Sequence, residues 1–367
     1  MIYIHIPFCK SRCLYCDFFS STSSELKYSF VEALFKEMNA RADEMRLARA
    51  NNIYIGGGTP SQLPAELIKS IFDKLMSIVP LDEGAEVTIE CNPDDVSPEF
   101  LHALSKTPVN RISMGIQTLN DDLLRMLRRR HDSNQARNAV AMLRQTGYDN
   151  ISVDLMFGLP GQTMDTWKSD VDEILSMHVP HLSGYSLQWE EGTALYGMLE
   201  KGEVHEAPEE LSLEMYRYLV EATKESGMEH YEISNYAMPG MRARHNSGYW
   251  KDEAYVGLGP GAHSYDGYMQ RSSNPSNLME YIQADGMPQQ DREILDEDAL
   301  YEERVLKGLR TIDGLDVRTL HSKYRDYAIR MAEKHIASGH MIYNGDVLRL
   351  TEEGFFVSND IMSDLML

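Results

Sequence analysis

Three of the four cysteines of the chain, Cys9, Cys13 and Cys16, stand near its start with the spacing C-x3-C-x2-C. Thiolates are the usual ligands of iron–sulfur clusters, and a [4Fe–4S] cluster normally takes four of them. Three cysteines would leave one iron open, and catalytic metal sites keep such an open position whereas structural ones close it. The alternatives are a disulfide and a structural zinc site, which would need a fourth ligand. The spacing favours a [4Fe–4S] cluster with one open iron.

A run of three glycines, Gly56, Gly57 and Gly58, follows the second β-prone stretch and precedes Thr59. Glycines let a ligand approach the backbone closely and offer N–H groups without side-chain obstruction. The order of elements excludes the dinucleotide fingerprint, which needs G-x-G-x-x-G at the start of a helix. The run therefore indicates either a ligand-binding loop or only a turn.

Polar residues stand at or near the ends of three further predicted strands, at Glu90, Gln117 and Asp154. A polar side chain is costly to bury unless a ligand or another residue satisfies it. We expect either a bound ligand or a mutually satisfied buried network, and the recurrence over several strands favours the ligand. Cys91, the fourth cysteine, is expected to be a small buried hydrophobe rather than a ligand.

Short β-prone runs alternate with amphipathic helical patterns over the first 190 residues or so. The predicted strands are Ile2–Ile6, Ile53–Ile55, Glu86–Cys91, Arg111–Ile116, Ile151–Phe157 and Leu182–Leu187. The predicted helices are Leu26–Ala48, Ala65–Ile78, Leu119–Leu127, Asn134–Thr146 and Trp167–Met177. This alternation predicts an α/β fold with a parallel sheet, and six units favour a partial (β/α)6 TIM-like barrel over a doubly wound sheet. Barrel enzymes carry their chemistry at the C-terminal ends of the strands, where the cysteine loop follows the first strand.

The chain divides into three segments by pattern. Residues 1–230 carry the predicted barrel, and residues 231–290 form a loop-rich segment dense in Tyr, Asn, Ser, Gly and His. Residues 291–367 combine helical patterns with a hairpin-like run, which predicts a small C-terminal α+β winged-helix-like domain. Because this tail is acidic and lacks a basic recognition helix, we expect it to pack or to contact a protein rather than to bind DNA.

Composition excludes several classes of partner. The chain has 57 acidic and 35 basic side chains, which argues against nucleic acid or an anionic membrane as the main partner. No run of 18 apolar residues and no signal sequence occurs, so no integral membrane segment is expected. Few and clustered cysteines indicate the reducing cytoplasm.

Several of these motifs together resemble a known family. The runs CKSRCLYC, GGGTP, SMGIQ and VDLMFGLPGQT resemble the radical S-adenosylmethionine superfamily, and more narrowly its oxygen-independent coproporphyrinogen III oxidase-like family. The likeness covers essentially the whole chain. It implies that the amino and carboxylate groups of S-adenosylmethionine chelate the open iron, and that an electron from the reduced cluster cleaves this cofactor to a 5′-deoxyadenosyl radical. The electron donor is not identified by the sequence.

The resemblance also assigns residues. Cys9, Cys13 and Cys16 would ligate the cluster. The S-adenosylmethionine site would comprise Tyr3, Tyr15, Gly57, Gly58, Thr59, Glu90, Gln117, Arg129 and Asp154. Arg129 is chosen from the run LRRRHD, in which Arg128 and Arg130 are alternatives. An arginine there could also be only a solvated cation at a helix end.

Two departures separate the chain from the oxidases of that family. The oxidases carry a further cysteine where this chain has Phe18, and they carry a longer N-terminal arm, whereas this sequence starts two residues before Tyr3. Both departures match the heme chaperone (HemW-type) branch of the family. The run H-N-S-G-Y-W, containing His245, Tyr249 and Trp250, is similar to the H-N-x-x-Y-W motif of that branch.

The branch implies that heme binds near this motif. A neutral imidazole is a common axial ligand of heme iron, and Tyr and Trp offer flat apolar faces to a porphyrin. His245, Tyr249 and Trp250 are therefore expected to bind heme, with His263 as a second candidate ligand. The alternative is a loop anchored to the barrel by its Tyr and Trp, in which His245 is only hydrogen-bonded.

The leading hypothesis is a cytoplasmic chaperone that delivers heme to a recipient apo-hemoprotein, with a [4Fe–4S] cluster and S-adenosylmethionine as further cofactors. If the recipient is a membrane-bound cytochrome, the chain would act peripherally at the membrane through that partner. The runner-up is an enzyme that converts coproporphyrinogen III to protoporphyrinogen IX. A third hypothesis, compatible with both, treats the acidic tail as a docking module for a protein partner. Whether the chain forms a homodimer stays open.

Overall fold

The computed structural model describes all 367 residues of the chain. Its strands are β1 Ile2–Ile6, β2 Asn52–Gly57, β3 Glu86–Cys91, β4 Arg111–Gln117, β5 Ile151–Phe157, β6 His181–Ser186, β7 Glu229–Glu232, β8 Asn235–Ala237, β9 Val256–Leu258, β10 His263–Tyr265, β11 Gln270–Ser273, β12 Asp291–Ile294, β13 Leu315–Asp316, β14 Met341–Tyr343 and β15 Val347–Leu350. Its helices are α1 Lys27–Ala40, α2 Ala42–Ala48, α3 Ala65–Ile78, α4 Pro98–Leu104, α5 Asp121–Met126, α6 Ser133–Gln145, α7 Met164–Ser176, α8 Ala194–Glu200, α9 Glu209–Glu225, α10 Arg244–Trp250, α11 Leu278–Gln283, α12 Glu297–Leu309, α13 Ser322–Ala337, α14 Glu352–Phe356 and α15 Ser358–Leu365.

The main sheet has nine strands in the order β7-β8-β6-β5-β4-β3-β2-β1-β9. The pairings from β6 through to β9 are all parallel, whereas β8 joins β6 and β7 by antiparallel pairings. All six strands predicted from the sequence are present in consecutive order along this sheet. The predicted α/β fold with a partial parallel barrel is confirmed.

Side-chain alternation explains how each barrel strand faces two environments. Successive residues of a strand point to opposite faces of the sheet. In β4, Ile112, Met114 and Ile116 are fully buried in the main hydrophobic core. The alternate residues Arg111 and Ser113 line a cavity inside the barrel instead. The sequence therefore encodes an apolar outer face and a polar lumen within the same strand.

Amphipathic helices cover the outer face of the sheet. In α3, Leu67, Ile71 and Leu75 recur at intervals of four residues and are buried in the same core as the strands. The helix predicted as one stretch over residues 26–48 is instead two helices, separated at Arg41. Arg41 is buried there and forms an ion pair with the buried Glu37. None of the helices in the structure is both long and apolar enough to cross a membrane.

The last segment of the chain has its own core. The strands β13, β15 and β14 form a three-stranded antiparallel sheet, against which α12 and α13 pack, and α15 packs on these two helices. The 16 residues buried in this cluster all lie between Tyr301 and Leu365. The chain ends in two short helices, α14 and α15, which are separated at Val357.

The segment predicted to be rich in loops contains two helices, α10 and α11, and several strands. β8 and β9 belong to the main sheet, where β9 pairs with β1. The helix α10 carries the H-N-S-G-Y-W run, so this motif is helical rather than part of a loop. A further three-stranded sheet, β10-β11-β12, follows it.

Candidate cluster and cofactor site

A cavity of about 580 Å³ runs through the barrel interior. The residues that the sequence assigned to the cluster and to S-adenosylmethionine all line it: Tyr3, Cys9, Cys13, Tyr15, Cys16, Gly57, Gly58, Thr59, Glu90, Gln117, Arg129 and Asp154. They come from the loop after β1, from strands β1 to β5 or their ends and, for Arg129, from the loop between α5 and α6. The structure therefore brings together residues that lie as far apart in the sequence as Tyr3 and Asp154.

The cysteine loop is held in place by a leucine between two of the cysteines. Leu14 is buried in a small apolar cluster at the top of the barrel, with Leu127 among its neighbours. Its N–H donates to the carbonyl of Leu127 at 3.2 Å, and its own carbonyl accepts from the N–H of Leu195 at 2.9 Å. Cys13 and Cys16 are fixed on either side of this anchor, with the N–H of Cys16 bonded to the carbonyl of Cys13.

The three thiols face the cavity without a fourth ligand. The sulfur of Cys9 lies 3.5 Å from the hydroxyl of Thr59, and Nη1 of Arg129 donates to the sulfur of Cys13 at 3.3 Å. Burial raises the pKa of the Cys16 thiol to about 11. No group of three His, Cys, Asp or Glu side chains is arranged to hold a single metal ion. A cubane spreads its ligands over separate corners, so this donor set suits a cluster better than a mononuclear zinc site.

The three consecutive arginines point in different directions. Arg128 is exposed and has a left-handed backbone with a φ of 56°. Arg130 forms ion pairs with Asp94 at 3.1 Å and Asp95 at 2.9 Å. Only Arg129 turns towards the cysteines, and its Nε is buried without a hydrogen-bond partner. The geometry favours Arg129 over both neighbours as a cofactor contact.

The glycine run packs tightly against the protein. Gly57 has a φ of 109°, and a Cβ on it would lie 2.5 Å from the ring of His5. The N–H groups of Gly58 and Thr59 donate 2.8 Å hydrogen bonds to backbone carbonyls at the end of β1 and just beyond it. The N–H of Gly57 donates to the carboxylate of Glu90 at 3.0 Å. The N–H groups of Gly57, Gly58 and Thr59 are thus all bonded within the protein, and the ligand-binding role of this loop stays a prediction.

Two buried carboxyl groups and a strained glutamine lie along the same cavity. Burial raises the pKa of Glu90 to about 7 and the pKa of Asp154 to about 6. A register shift in β4 puts Gln117 in a left-handed conformation with a φ of 71°, and its Oε1 is buried without a partner. Such strain and such unsatisfied atoms are typical of sites that a ligand completes.

These observations test whether the residues suit the implied cofactors. The thiols of Cys9, Cys13 and Cys16 supply the donor set of a cluster with an open iron. Beside them, Gln117 and Arg129 each have a buried polar atom without a partner. A polar cofactor bound next to the cluster would satisfy both atoms. The residues present therefore suit a [4Fe–4S] cluster with S-adenosylmethionine at its open side.

The H-N-S-G-Y-W motif lies at the other end of the barrel strands. Nδ1 of His245 lies 2.6 Å from Oδ1 of Asn52, the first residue of β2. The backbone N–H of Arg244 donates at 2.9 Å to Glu86, the first residue of β3. His245 is 3 % exposed, and burial lowers the pKa of its imidazole to about 3, so the ring is neutral. The cysteine loop, by contrast, follows the last residue of β1.

The structure separates the residues predicted to bind heme. His245 and Tyr249 line the cavity, and Nε2 of His245 lies 2.9 Å from the hydroxyl of Tyr249. Trp250 does not line it, because it is five residues from His245 and therefore points about 140° away around the helix. Its ring packs against the guanidinium of Arg310 at 4.9 Å. His263 is exposed and does not line the cavity either.

The structure also shows where Cys91 and Phe18 lie. Cys91 is 4 % exposed and packs within the main hydrophobic core, as expected of a small hydrophobe. Phe18 lies at the rim of the cavity beside the cysteine loop and is 65 % exposed.

Several polar residues that line the cavity were not predicted from the sequence, including Tyr54, Asn92, Arg111, His181 and Ser183. The alternation of polar and apolar residues within single strands indicates such positions. Along β6, for example, the polar His181 and Ser183 alternate with the apolar Leu182, which is fully buried. Only the register between strands shows that these alternate positions face one lumen.

Comparison with known proteins places the chain in a family. Residues 3–174 match the model of the radical SAM superfamily. Over 368 residues the chain is 36 % identical to the heme chaperone HemW of Bacillus subtilis (strain 168), covering 98 % of this chain and 97 % of that protein. The chain belongs to the HemW family of radical SAM proteins. The HemW of Lactococcus lactis subsp. lactis (strain IL1403) is 33 % identical over 100 % of this chain and 97 % of its own length.

A solved structure confirms the fold of this HemW family member. Coproporphyrinogen III oxidase (HemN) from Escherichia coli, described as a radical SAM enzyme, superposes with a TM-score of 0.85. The alignment covers 99 % of this chain and 89 % of that one, at 19 % sequence identity. At this identity the likeness establishes the architecture only.

Proposed function

We propose that this protein is a heme chaperone, which binds heme and delivers it to a recipient apo-hemoprotein. The observation that carries the proposal is the full-length similarity to proteins named heme chaperone HemW, at 32 % to 36 % identity over 98 % to 100 % of this chain. A partial resemblance to the radical SAM domain alone would support only a shared cofactor. Similarity across the barrel, the H-N-S-G-Y-W helix and the tail supports a shared role.

The cluster and its cofactor would occupy the cysteine end of the cavity. Cys9, Cys13 and Cys16 would ligate a [4Fe–4S] cluster, and the nine residues named above would contact S-adenosylmethionine. When bound, this cofactor supplies a radical after one-electron reductive cleavage of its sulfonium bond. The protein's own contribution is to orient the cofactor through Arg129 and Gln117 and to exclude water with a buried lumen.

Heme would bind at the motif end, with His245 as its axial ligand. The Nδ1–H of His245 donates to Asn52, so Nε2 carries the lone pair, and this lone pair accepts from the hydroxyl of Tyr249 on the same helix. An imidazole that ligates a metal through one ring nitrogen usually donates a hydrogen bond from the other, as His245 does to Asn52. Iron would replace the Tyr249 hydroxyl at Nε2. Trp250 would act indirectly, through its contact with Arg310.

The tail would form a separate winged-helix-like unit over residues 291–367, after a barrel over residues 1–230 and a heme segment over residues 231–290. Its own hydrophobic core supports this division. The unit also touches the heme segment, because Lys307 of α12 forms a 2.6 Å ion pair with Asp252, just after the motif. This contact supports a role for the tail in sensing or presenting the motif to a protein partner.

The oxidase reaction is the second candidate, and the HemN-like fold is the observation in its favour. The fold does not distinguish the two functions, since both would use the same barrel. Phe18 stands where the oxidases have a further cysteine, and this exposed apolar ring at the rim supplies no ligand. We therefore rank the chaperone function above the oxidase.

The experiment that tests the proposal is heme transfer. The anaerobically reconstituted protein is loaded with hemin, freed of excess, and mixed with an apo-hemoprotein whose holo form has a distinct Soret band. The expected result is a Soret shift on loading, followed by the spectrum of the holo recipient. A protein that takes up no hemin, or that holds hemin without releasing it to any recipient faster than free hemin exchange, would contradict the chaperone function.

A further inference from the structure

One buried cation at the motif end of the cavity makes no hydrogen bond or ion pair within the protein, and its charge acts on the carboxyl groups of Glu90 and Asp154 only from a distance. Arg111, the first residue of β4, is 2 % exposed and lines the cavity. Its Nε is buried without a hydrogen-bond partner. A buried charge is costly unless it is paired, so an unpaired guanidinium in a lumen is a specific observation that points to an anionic ligand.

The position of Arg111 puts it beside the H-N-S-G-Y-W motif. Thr88 of β3 pairs with Tyr54 on one side and with Arg111 on the other, so Arg111 and Tyr54 lie at the same level of the barrel, two strands apart. Neighbouring strands are about 4.8 Å apart, which makes this separation about 10 Å between backbones. The ring of Tyr54 stacks on the imidazole of His245 with 5.1 Å between centroids. Arg111 and His245 therefore share one layer of the cavity.

A second donor without a partner lies in the same place. Nδ2 of Asn246, the residue after His245, is buried without a hydrogen-bond partner, and Asn246 lines the cavity. Asn246 adjoins His245, which shares a layer of the cavity with Arg111. A guanidinium and an amide N–H at that layer are suited to the two oxygens of a carboxylate.

The cofactor end of the cavity has polar contacts of its own. Glu90 accepts hydrogen bonds from Tyr54 and from the N–H of Gly57, at the border of that end. Arg129 lies at the same cofactor end, where it contacts both Cys13 and the carbonyl of Gly115. Gly115 lies four residues beyond Arg111 along β4, which is about 13 Å. The backbone of Arg111 therefore lies at a different level of the barrel from the contacts of Arg129.

We propose that Arg111 and Asn246 form a carboxylate subsite at the motif end of the cavity, and that this subsite binds a propionate group of heme. The inference rests on the proposed heme chaperone function and adds the part of the porphyrin that the protein recognises. With the propionate on Arg111 and Asn246, His245 in the same layer would hold the iron. The subsite explains why a buried arginine without an internal hydrogen bond stands at the start of β4.

The test compares hemin with hemin dimethyl ester, which keeps the iron and the ring but has no carboxylate. Both are titrated into the reconstituted full-length protein, with the Soret band as the readout, and S-adenosylmethionine binding is measured by equilibrium dialysis on the same samples. The wild-type protein is expected to bind hemin about tenfold or more tightly than the ester, because hydrogen bonds to charged groups are worth this much. This comparison needs no variant and is independent of any folding defect.

The variants assign the effect to the subsite. R111Q is expected to lose the preference for hemin while binding the ester as the wild type does. R111K is expected to keep part of this preference. N246D is expected to weaken the binding of hemin but not that of the ester. R292Q removes an exposed arginine of β12 and serves as the matched control, with the wild-type preference retained. Equal affinities of the wild type for hemin and its ester overturn the inference. So does an R111Q variant that keeps the preference, or one that instead loses S-adenosylmethionine binding. Absence of any Soret change with either compound overturns the proposed function as well, and is thus distinct from failure of the subsite alone.

Discussion

The hydroxyl of Tyr54 donates a 2.6 Å hydrogen bond to Glu90, while the ring of the same tyrosine stacks on His245. Tyr54 thereby connects the two ends of the cavity. Its polar tip touches a residue predicted to bind S-adenosylmethionine, and its face touches the residue predicted to bind heme. The two predicted ligands would be bound by neighbouring residues rather than by independent sites.

Replacing Tyr54 by Phe should separate these two contacts. The variant keeps the ring against His245 but removes the donor to Glu90, and a hydrogen bond of this kind is worth about 1 kcal/mol. We expect S-adenosylmethionine to bind roughly fivefold more weakly, with hemin affinity unchanged. Equilibrium dialysis measures S-adenosylmethionine binding, and Soret titration measures hemin binding. Y28F is the matched control, since Tyr28 donates a 2.8 Å bond to Glu66 on the exposed surface. An equal loss of S-adenosylmethionine affinity in both variants would show that the hydrogen bond of Tyr54 has no specific role.

Glu90 should make stability depend on pH. Burial raises its pKa in the folded protein from 4.5 to about 7, so the folded state holds a proton that the unfolded chain releases above pH 4.5. The stability that this proton contributes is complete below pH 4.5 and is lost as the pH rises through 7. The free energy of unfolding of the wild type should therefore fall by up to about 3 kcal/mol relative to that of E90Q between pH 5 and pH 8.

Denaturant unfolding of both proteins at these two pH values measures the difference. E32Q, at an exposed position of α1, serves as the control and should follow the wild type at both. Parallel pH profiles for the wild type and E90Q would mean that Glu90 is ionised in the folded protein throughout this range.

The four cysteines offer an internal control for cluster assembly. Replacing Cys9, Cys13 or Cys16 by Ser should abolish or strongly reduce the iron bound after anaerobic reconstitution, because each thiolate would hold one iron of the cubane. C91S should retain about four irons per chain, since Cys91 is packed in the hydrophobic core. Iron and sulfide analysis measures both. A C91S protein without iron, or a C13S protein with a full complement, would refute the ligand assignment.

His245 and its partner can be tested as a pair. His245→Ala should weaken hemin binding about tenfold or more and change the Soret maximum, because the axial ligand is lost. Y249F should retain hemin affinity or increase it, because it frees Nε2 from a hydrogen bond. H263A removes an exposed imidazole outside the cavity and should have no effect. Unchanged spectra in His245→Ala would exclude His245 as the ligand.

The sequence predicted the barrel well because its evidence is local. Each strand and helix carries its own period, as Ile2, Ile4 and Ile6 do in β1. The cysteine spacing is equally local. The break at Arg41 was not predictable, because it depends on a buried ion pair with Glu37 and on the bond from Arg41 to the carbonyl of the distant Gly257.

The motif end of the cavity could not be predicted for a related reason. A seven-residue helix with an internal glycine has little intrinsic helix propensity, and α10 is stabilised by contacts with Asn52 and Glu86 at the starts of distant strands. The role of Arg111 depends on the register that brings it level with Tyr54. A single arginine at the start of a predicted strand looks like a solvated end until that register is known.

Under the proposed function, this radical SAM fold carries heme rather than making porphyrin. The most direct measurement gives one reconstituted preparation S-adenosylmethionine, a strong reductant and coproporphyrinogen III under anaerobic conditions, and titrates a second aliquot with hemin. We predict stoichiometric hemin binding and no protoporphyrinogen IX above the cluster-free control. Sustained conversion of coproporphyrinogen III, with no Soret change on addition of hemin, would contradict the account.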